Sequence, residues 1–257
     1  MILRPRRLPV LLLLLVAGVM GCRIRRSLPF EPLATAGYRA PVVPTGSGLK
    51  GRMSIRLPRA ASARKLRAMF RIEPPDRFQV VWLDPLLNPL FSLISDGERL
   101  AAVDLGAGRG LLTNLPPEGA RIPPLDLAPV DLVRLMLDID PPGVAEIGSN
   151  GAGEFHACYG GGEEVVTRRI DGTLVERRYG NDRVVVKCEE TVLVGGRLLP
   201  SQLSVATGGL NIETAVQAQE TYLIDEPIAI RFSQRVSLDA VNWRDLVRRL
   251  QEALGGS

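Results

Sequence analysis

Apolar and charged residues alternate through two early segments. In LKGRMSIRL, from residue 49, Leu49, Met53, Ile55 and Leu57 alternate with Lys50, Arg52, Ser54 and Arg56. In KLRAMFRI, from residue 65, Leu66, Ala68, Phe70 and Ile72 alternate with Lys65, Arg67 and Arg71. A period of two is the side-chain period of a strand, so each segment is predicted to be a strand with one apolar and one basic, solvated face. RFQVVWL repeats the pattern more loosely through Phe78, Val80 and Trp82, and PLFSLISDGERLAAVDL reads as a hairpin turning at Asp96-Gly97. Further turn signals at GAGRG, YGGGEE, IDGT, YGND and VGGR separate runs such as EVVTRRI, TLVERRY, RVVVKCEETVLV and LPSQLSVAT. Strands at such short spacing predict a mainly β, antiparallel sheet that curls.

Two segments leave that rhythm. PLDLAPVDLVRLMLDIDPP, residues 124–142, sets Leu132, Leu135, Met136 and Ile139 at helical spacing and stops before prolines. SLDAVNWRDLVRRLQEALGG puts Trp243, Leu246, Val247, Leu250 and Leu254 on one stripe, which predicts a C-terminal helix over 239–254 with Asp239 near its start and Gly255 closing it. Both helices need apolar surface to cover, and the open mouth or inside of a curved sheet supplies it.

The chain ends read differently. Arg4, Arg6 and Arg7 precede VLLLLLVAGV and then VMGC, which ends at Cys22. A basic leader and a short apolar core ending at Gly21-Cys22 read as a lipoprotein signal, 1–21, with Cys22 as the lipid attachment site. Residues 22–48, with Pro29, Pro32, Pro41 and Pro44, read as a tether, and 49–257 as one barrel domain that includes the C-terminal helix. Arg23, Arg25 and Arg26 follow the lipid site, either as a solvated tether or facing anionic headgroups. The full chain is formally +4 over 257 residues. Removing three leader arginines leaves +1, which excludes the global basic footprint of a nucleic-acid binder.

Catalytic groups are sparse, and the sequence is not read as an enzyme. His156 in EFHACYG is the only histidine, and nothing around it resembles a nucleophile elbow. One histidine and two further cysteines do not fill a tetrahedral zinc site without carboxylates, and no metal or other cofactor is called for. Cys158 and Cys188 both fall in strand-like runs; an envelope disulfide and two small buried thiols are both open readings.

The segment VVWLDPLLNPLFSL poses a sharper question. Asp84, Pro85, Asn88 and Pro89 supply the chemistry of a bend, yet its tip is Leu86-Leu87. Either the pair folds back as core, or it is meant for an apolar environment outside the protein. The ordered series GLKGRMSIRL, RKLRAMFRIEP, PDRFQVVWLDPLLNPLFSLISDGERL and PLDLAPVDLVRLML resembles the LolA/LolB superfamily of bacterial lipoprotein-trafficking proteins. Since the chain reads as a lipoprotein itself, the resemblance is closer to LolB, the outer-membrane receptor and insertase.

That resemblance implies an incompletely closed antiparallel β-barrel with a helical lid, and an apolar cavity for lipoprotein acyl chains delivered by a LolA-like periplasmic carrier. It maps Leu86 onto a leucine that protrudes to touch the membrane, with Leu87 beside it where relatives carry glycine. Alternation then puts Met53, Ile55, Leu66, Phe70, Phe78, Val80 and Trp82, with Leu135 and Met136 of the helix, around the cavity or in a closed core. The expected location is the outer membrane, facing the periplasm and lipid-anchored. The other readings are a carrier or sensor of another lipid or hydrophobic ligand, and a structural lipoprotein of an envelope assembly.

Overall fold

The computed structural model describes residues 31–32, 46–56, 65–115, 121–122, 125–143, 145–149, 153–208, 210–232, 236–246 and 248. The leader, Cys22 and the end of the chain beyond 248 lie outside them. The strands are β1 (Glu31–Pro32), β2 (Ser47–Arg56), β3 (Lys65–Glu73), β4 (Arg77–Leu83), β5 (Pro89–Ser95), β6 (Arg99–Asp104) and β7 (Arg109–Asn114). After helix α1 (Pro129–Leu137) come β8 (Glu146–Ser149), β9 (Glu154–Tyr159), β10 (Glu164–Arg169), β11 (Leu174–Tyr179), β12 (Val184–Val194), β13 (Arg197–Thr207), β14 (Leu210–Leu223) and β15 (Ser237–Ala240).

These strands form one sheet in the order β1-β8-β9-β10-β11-β12-β13-β14-β2-β3-β4-β5-β6-β7-β15. Every pairing is antiparallel except β15 with β7. The two edges, β1 and β15, do not meet, so the sheet is open. Its curl shows in α1, which touches β3, β4 and also β13, three places further along the sheet from β3. Asp138, which closes the helix, also bonds Arg168 of β10, seven places from β4; on a flat sheet that is about 34 Å, beyond the reach of a nine-residue helix about 13.5 Å long, so the sheet wraps it.

The concave face gathers a single apolar core: Leu49, Ala68, Phe70, Ile72, Phe78, Val80, Leu135 and Met136 are buried there, with Val133, Leu199, Leu203, Val205 and Ile212. The alternation of β2 and β3 is kept, with Arg52, Arg56 and Arg67 exposed on the convex face. On β5 and β6 it is not, because Ser92, Ile94, Ala101 and Val103 are buried as well as Leu93, Leu100 and Ala102.

The connection from β14 to β15 explains this double burial. Its 13 residues, 224–236, must cross seven strand spacings, about 34 Å, and an extended run of that length reaches only about 43 Å. Its described residues up to 232 set out along the convex side. Arg71 donates to the Glu226 carbonyl at 2.7 Å, and the Ile228 amide donates to Glu73 at 2.7 Å. Glu73, 1% exposed, also accepts from the Tyr222 hydroxyl at 2.7 Å, so a carboxylate is the clasp of this strap.

Helix α1 is shorter than the spacing predicts. Pro129 occupies its first turn, where a missing amide costs nothing, and Asp138 ends it in the left-handed region at φ 49. The amide of Asp138 returns to Arg134 and Leu135, and that of Ile139 to Arg134. The C-terminal element also starts later than 239. Asp239 and Ala240 are strand, pairing with Leu111 and Leu112, and helical backbone begins at Trp243 behind an Asn242 cap that accepts from the Asp245 amide at 2.9 Å. Leu246 is buried and Trp243 packs against the core. Glu31–Pro32, inside the segment read as tether, pairs with Ser149 and Gly148.

Candidate functional site

The register fixes two ends of the sheet. Arg67 pairs with Leu83, Arg56 with Glu213, and Val184 with Thr207, which brings the β4–β5, β13–β14 and β11–β12 turns to one end. The β12–β13 hairpin at Gly195-Gly196 and the β10–β11 turn lie at the other.

At the first end residues 84–88 form a closed turn. The Asp84 amide donates to the Asn88 carbonyl at 2.9 Å, and the Leu87 amide to the Asp84 carbonyl at 3.0 Å. The Asp84 carboxylate accepts from both the backbone amide of Asn88, 2.8 Å, and its side chain, 2.9 Å. Those hydrogen bonds, the Asn88 side chain first, hold its pKa below the ordinary carboxylate value. The clamp holds Leu87 at φ 70, a conformation that costs an L-residue about 1–2 kcal/mol. Leu86 is 82% exposed and Leu87 55%. Leu90, the extra residue where Trp82 pairs with Phe91 but Leu83 with Pro89, is 49% exposed. A polar clamp on a strained backbone thus presents three leucines to solvent.

Beneath the tip, Trp82 and Phe91 stack tilted at 5.4 Å between ring centroids and line the concave side with Met53 and Ile55. Phe70, Phe78, Val80, Leu135 and Met136 join them in one buried cluster, while Leu66, nearer the strand's end, is half-buried. Among the described residues the concave face encloses no open cavity, because α1 and these side chains fill it. An open groove of about 740 Å³ lies instead on the convex face between Arg52, Met69, Arg71, Val81 and Glu220.

A charged cluster pins the far end of α1. Arg168 of β10 grips Asp138 with both terminal nitrogens, at 2.7 and 2.8 Å, and reaches Asp140 at 2.7 Å. Arg177 of β11 lies 3.3 Å from Asp140 and 3.5 Å from Glu164. Arg197 donates to the Leu137 carbonyl at 2.5 Å. All of Arg168, Arg177, Asp138 and Asp140 are buried. Burial by itself lowers the pKa of Arg168, but Asp138 and Asp140 outweigh it and the net direction is up. At Glu164 burial wins instead: desolvation outweighs Arg177, and its pKa is pushed up to about 7.

The sequence reading missed this cluster, although a signal was present. TRRID and ERRYG place consecutive arginines in strands, and alternation sends one of each pair inward.

Cys158 and Cys188 are free thiols. They sit on β9 and β12, three strand spacings apart, about 14 Å, and on opposite faces, since Ala157 and not Cys158 joins the core. A disulfide needs its Cα atoms within about 7 Å, so this fold does not bridge them. Burial pushes the Cys188 thiol up to about 12. His156 meets Thr167 at 2.9 Å, and burial lowers its pKa. Among the described residues no helix is long and apolar enough to cross a membrane.

No protein-family model matches the sequence, and no curated protein gives a significant match. Solved structures do align with the chain. A LolA superfamily protein from Nitrosomonas europaea is 11% identical with a TM-score of 0.46, covering 72% of this chain and 89% of that one. A DUF1329 family protein from Desulfovibrio piger is 12% identical with a TM-score of 0.41, covering 73% and 88%. The class that the fold defines is a large, open, mostly antiparallel sheet curled around one helix.

Proposed function

We propose that this protein is a lipid-anchored envelope protein, similar to LolB, which takes up lipoprotein acyl chains on the concave side of its sheet and releases them at the outer membrane. The reading rests on the sequence resemblance and, above all, on one structural observation: two leucines exposed at a strained, clamped turn. A left-handed residue at an exposed turn is a natural place for glycine; a leucine there sacrifices stability for a side chain that stays more than half exposed. Insertion of that tip into the acyl boundary of a bilayer returns the apolar surface to an apolar medium.

In this reading Cys22 carries the anchor, a LolA-like carrier supplies the cargo, and α1 moves from the concave face to admit an acyl chain. Met53, Ile55, Leu66, Phe70, Phe78, Val80, Trp82, Leu135 and Met136 are the proposed contacts. The filled interior favours a second reading, a structural lipoprotein that carries nothing. Mass spectrometry of the detergent-free protein separates the two. Copurified acyl lipid or lipoprotein supports the carrier; an empty protein that also fails to move a lipoprotein into liposomes refutes it.

A further inference from the structure

The convex face shows an asymmetry in how its cations are matched. Across the β14–β2 pairing, Arg56 stands opposite Glu213 and bonds it at 3.2 Å; Lys50 stands opposite Glu220 and bonds it at 3.0 Å. Arg71 is matched by Glu73. Arg52 and Arg67 are not. The rung through Arg52 reads Gln217, Arg52, Met69, Val81, and the rung through Arg67 reads Ala215, Ser54, Arg67, Leu83. Neither rung holds a carboxylate, and among the described residues neither arginine has an ion-pair partner. Both are exposed, and Met69 between them is 43% exposed, so the upper rim of the convex groove is cationic and apolar together.

Position gives this patch a meaning. Leu83, opposite Arg67, is three residues short of Leu86, about 10 Å along the chain. An apolar tip inserted about 5–10 Å into a bilayer therefore leaves the Arg67 rung at headgroup depth, with Arg52 about 7 Å further out. We propose that Arg52 and Arg67 form an anionic-lipid headgroup site that fixes how the leucine tip meets the membrane, an inference that rests on the lipid-contacting role of Leu86 and Leu87. Asp84, at the base of the tip, opposes it with one negative charge already engaged by Asn88. The occupant is a phospholipid surface rather than an acidic protein because the two arginines share their edge of the sheet with the exposed leucines.

The test uses the full chain, purified with its anchor and reconstituted in vesicles of phosphatidylcholine alone or mixed with phosphatidylglycerol. Phenylglyoxal modification of arginines, read by mass spectrometry, reports on Arg52 and Arg67, with Arg231 as an exposed control. Each cation held at an anionic surface is favoured about fivefold, so both sites should react at least about fivefold more slowly on the mixed vesicles and recover at high salt. In parallel, a polarity-sensitive dye on Leu86→Cys, in a chain with Cys158→Ser and Cys188→Ser, reports tip insertion. Tip insertion with arginines equally reactive on both vesicles overturns the headgroup site but leaves the leucine tip standing, and assigns the patch to an acidic protein instead. No tip insertion on either vesicle refutes the leucine reading, and with it the orientation proposed here.

Discussion

Replacing Leu86 and Leu87 together by Gln isolates the transfer of apolar surface, because Gln is similar in size, brings no charge and leaves the backbone of residue 87 as strained as before. Full burial of a leucine is worth about 1.5–3 kcal/mol; scaled by the 82% and 55% exposure of these two, insertion yields about 2–4 kcal/mol. At 1.4 kcal/mol per decade that is roughly a 30- to 1000-fold loss of vesicle affinity. The assay is flotation of residues 23–257, secreted behind an unrelated cleavable signal, with phosphatidylglycerol vesicles; every described element lies within 31–248. Exposed substitutions change stability by about 0.5 kcal/mol or less, so the thermal midpoint should stay within about 2 °C. Unchanged flotation would refute the lipid-contact argument. A fall of many degrees would show that the pair carries packing that its exposure denies.

Leu87→Gly relieves the left-handed strain against glycine's extra backbone entropy, so the urea midpoint should rise by the equivalent of up to about 1 kcal/mol while vesicle affinity falls. Arg168→Met leaves Asp138 and Asp140 buried with their main partner gone and should cost about 3–5 kcal/mol in denaturant unfolding; adding Asp138→Asn should recover part of it. Glu164 titrates near 7 in the folded chain against an ordinary 4.5 when unfolded. The unfolded chain therefore sheds that proton first, and the native protein loses about 3 kcal/mol as pH rises through that window. Glu164→Gln should match wild type near pH 4 and exceed it by about that amount near pH 8; parallel stability curves across the range would refute the buried-acid assignment.

Legibility followed the locality of the cause. Strands β2 and β3 were readable because each side chain's fate is set by its own position in the pleat, so Phe70 and Arg67 sort themselves. The two-sided burial of Ile94, Ala101 and Val103 was not, because it depends on a strap more than a hundred residues later, and nothing in LISDGERLAAV says that a second layer will lie there. Helical backbone near the C-terminus begins at Trp243 rather than 239 for a similar reason. Asp239 is a plausible cap by itself, but the free edge of β7 offers Leu238 and Ala240 a ladder, and pairing won over local capping. The Asp84–Asn88 clamp was half visible: the bend residues showed where the turn is, whereas the left-handed backbone of Leu87 ran against its side chain and emerged only in the fold.

The two ends of α1 are held by different physics, and that difference sets how the concave face can open. Its C-terminal end is tied by Asp138 and Asp140 to Arg168 and Arg177, and by Arg197 to the last carbonyl. Separating those groups strands buried charges at several kcal/mol. Its N-terminal end has no side-chain cap: Ala128 offers no side-chain acceptor to the first-turn amides, and Asp131 in that turn is a half-buried acid whose pKa desolvation raises. What fixes that end is apolar burial of Leu127, Pro129 and Val133 with the Ile122–Leu127 backbone bridge, joined by an exposed bridge from Asp126 to Arg183, 3.0 Å, of the kind worth about 1 kcal/mol or less. Arg183 lies in the β11–β12 turn, at the same end of the sheet as Leu86 and Leu87. In the proposed function, then, an acyl chain arriving at the membrane-facing end meets the part of α1 held by apolar contacts that the chain can itself replace, while the ion pairs at the opposite end act as the hinge.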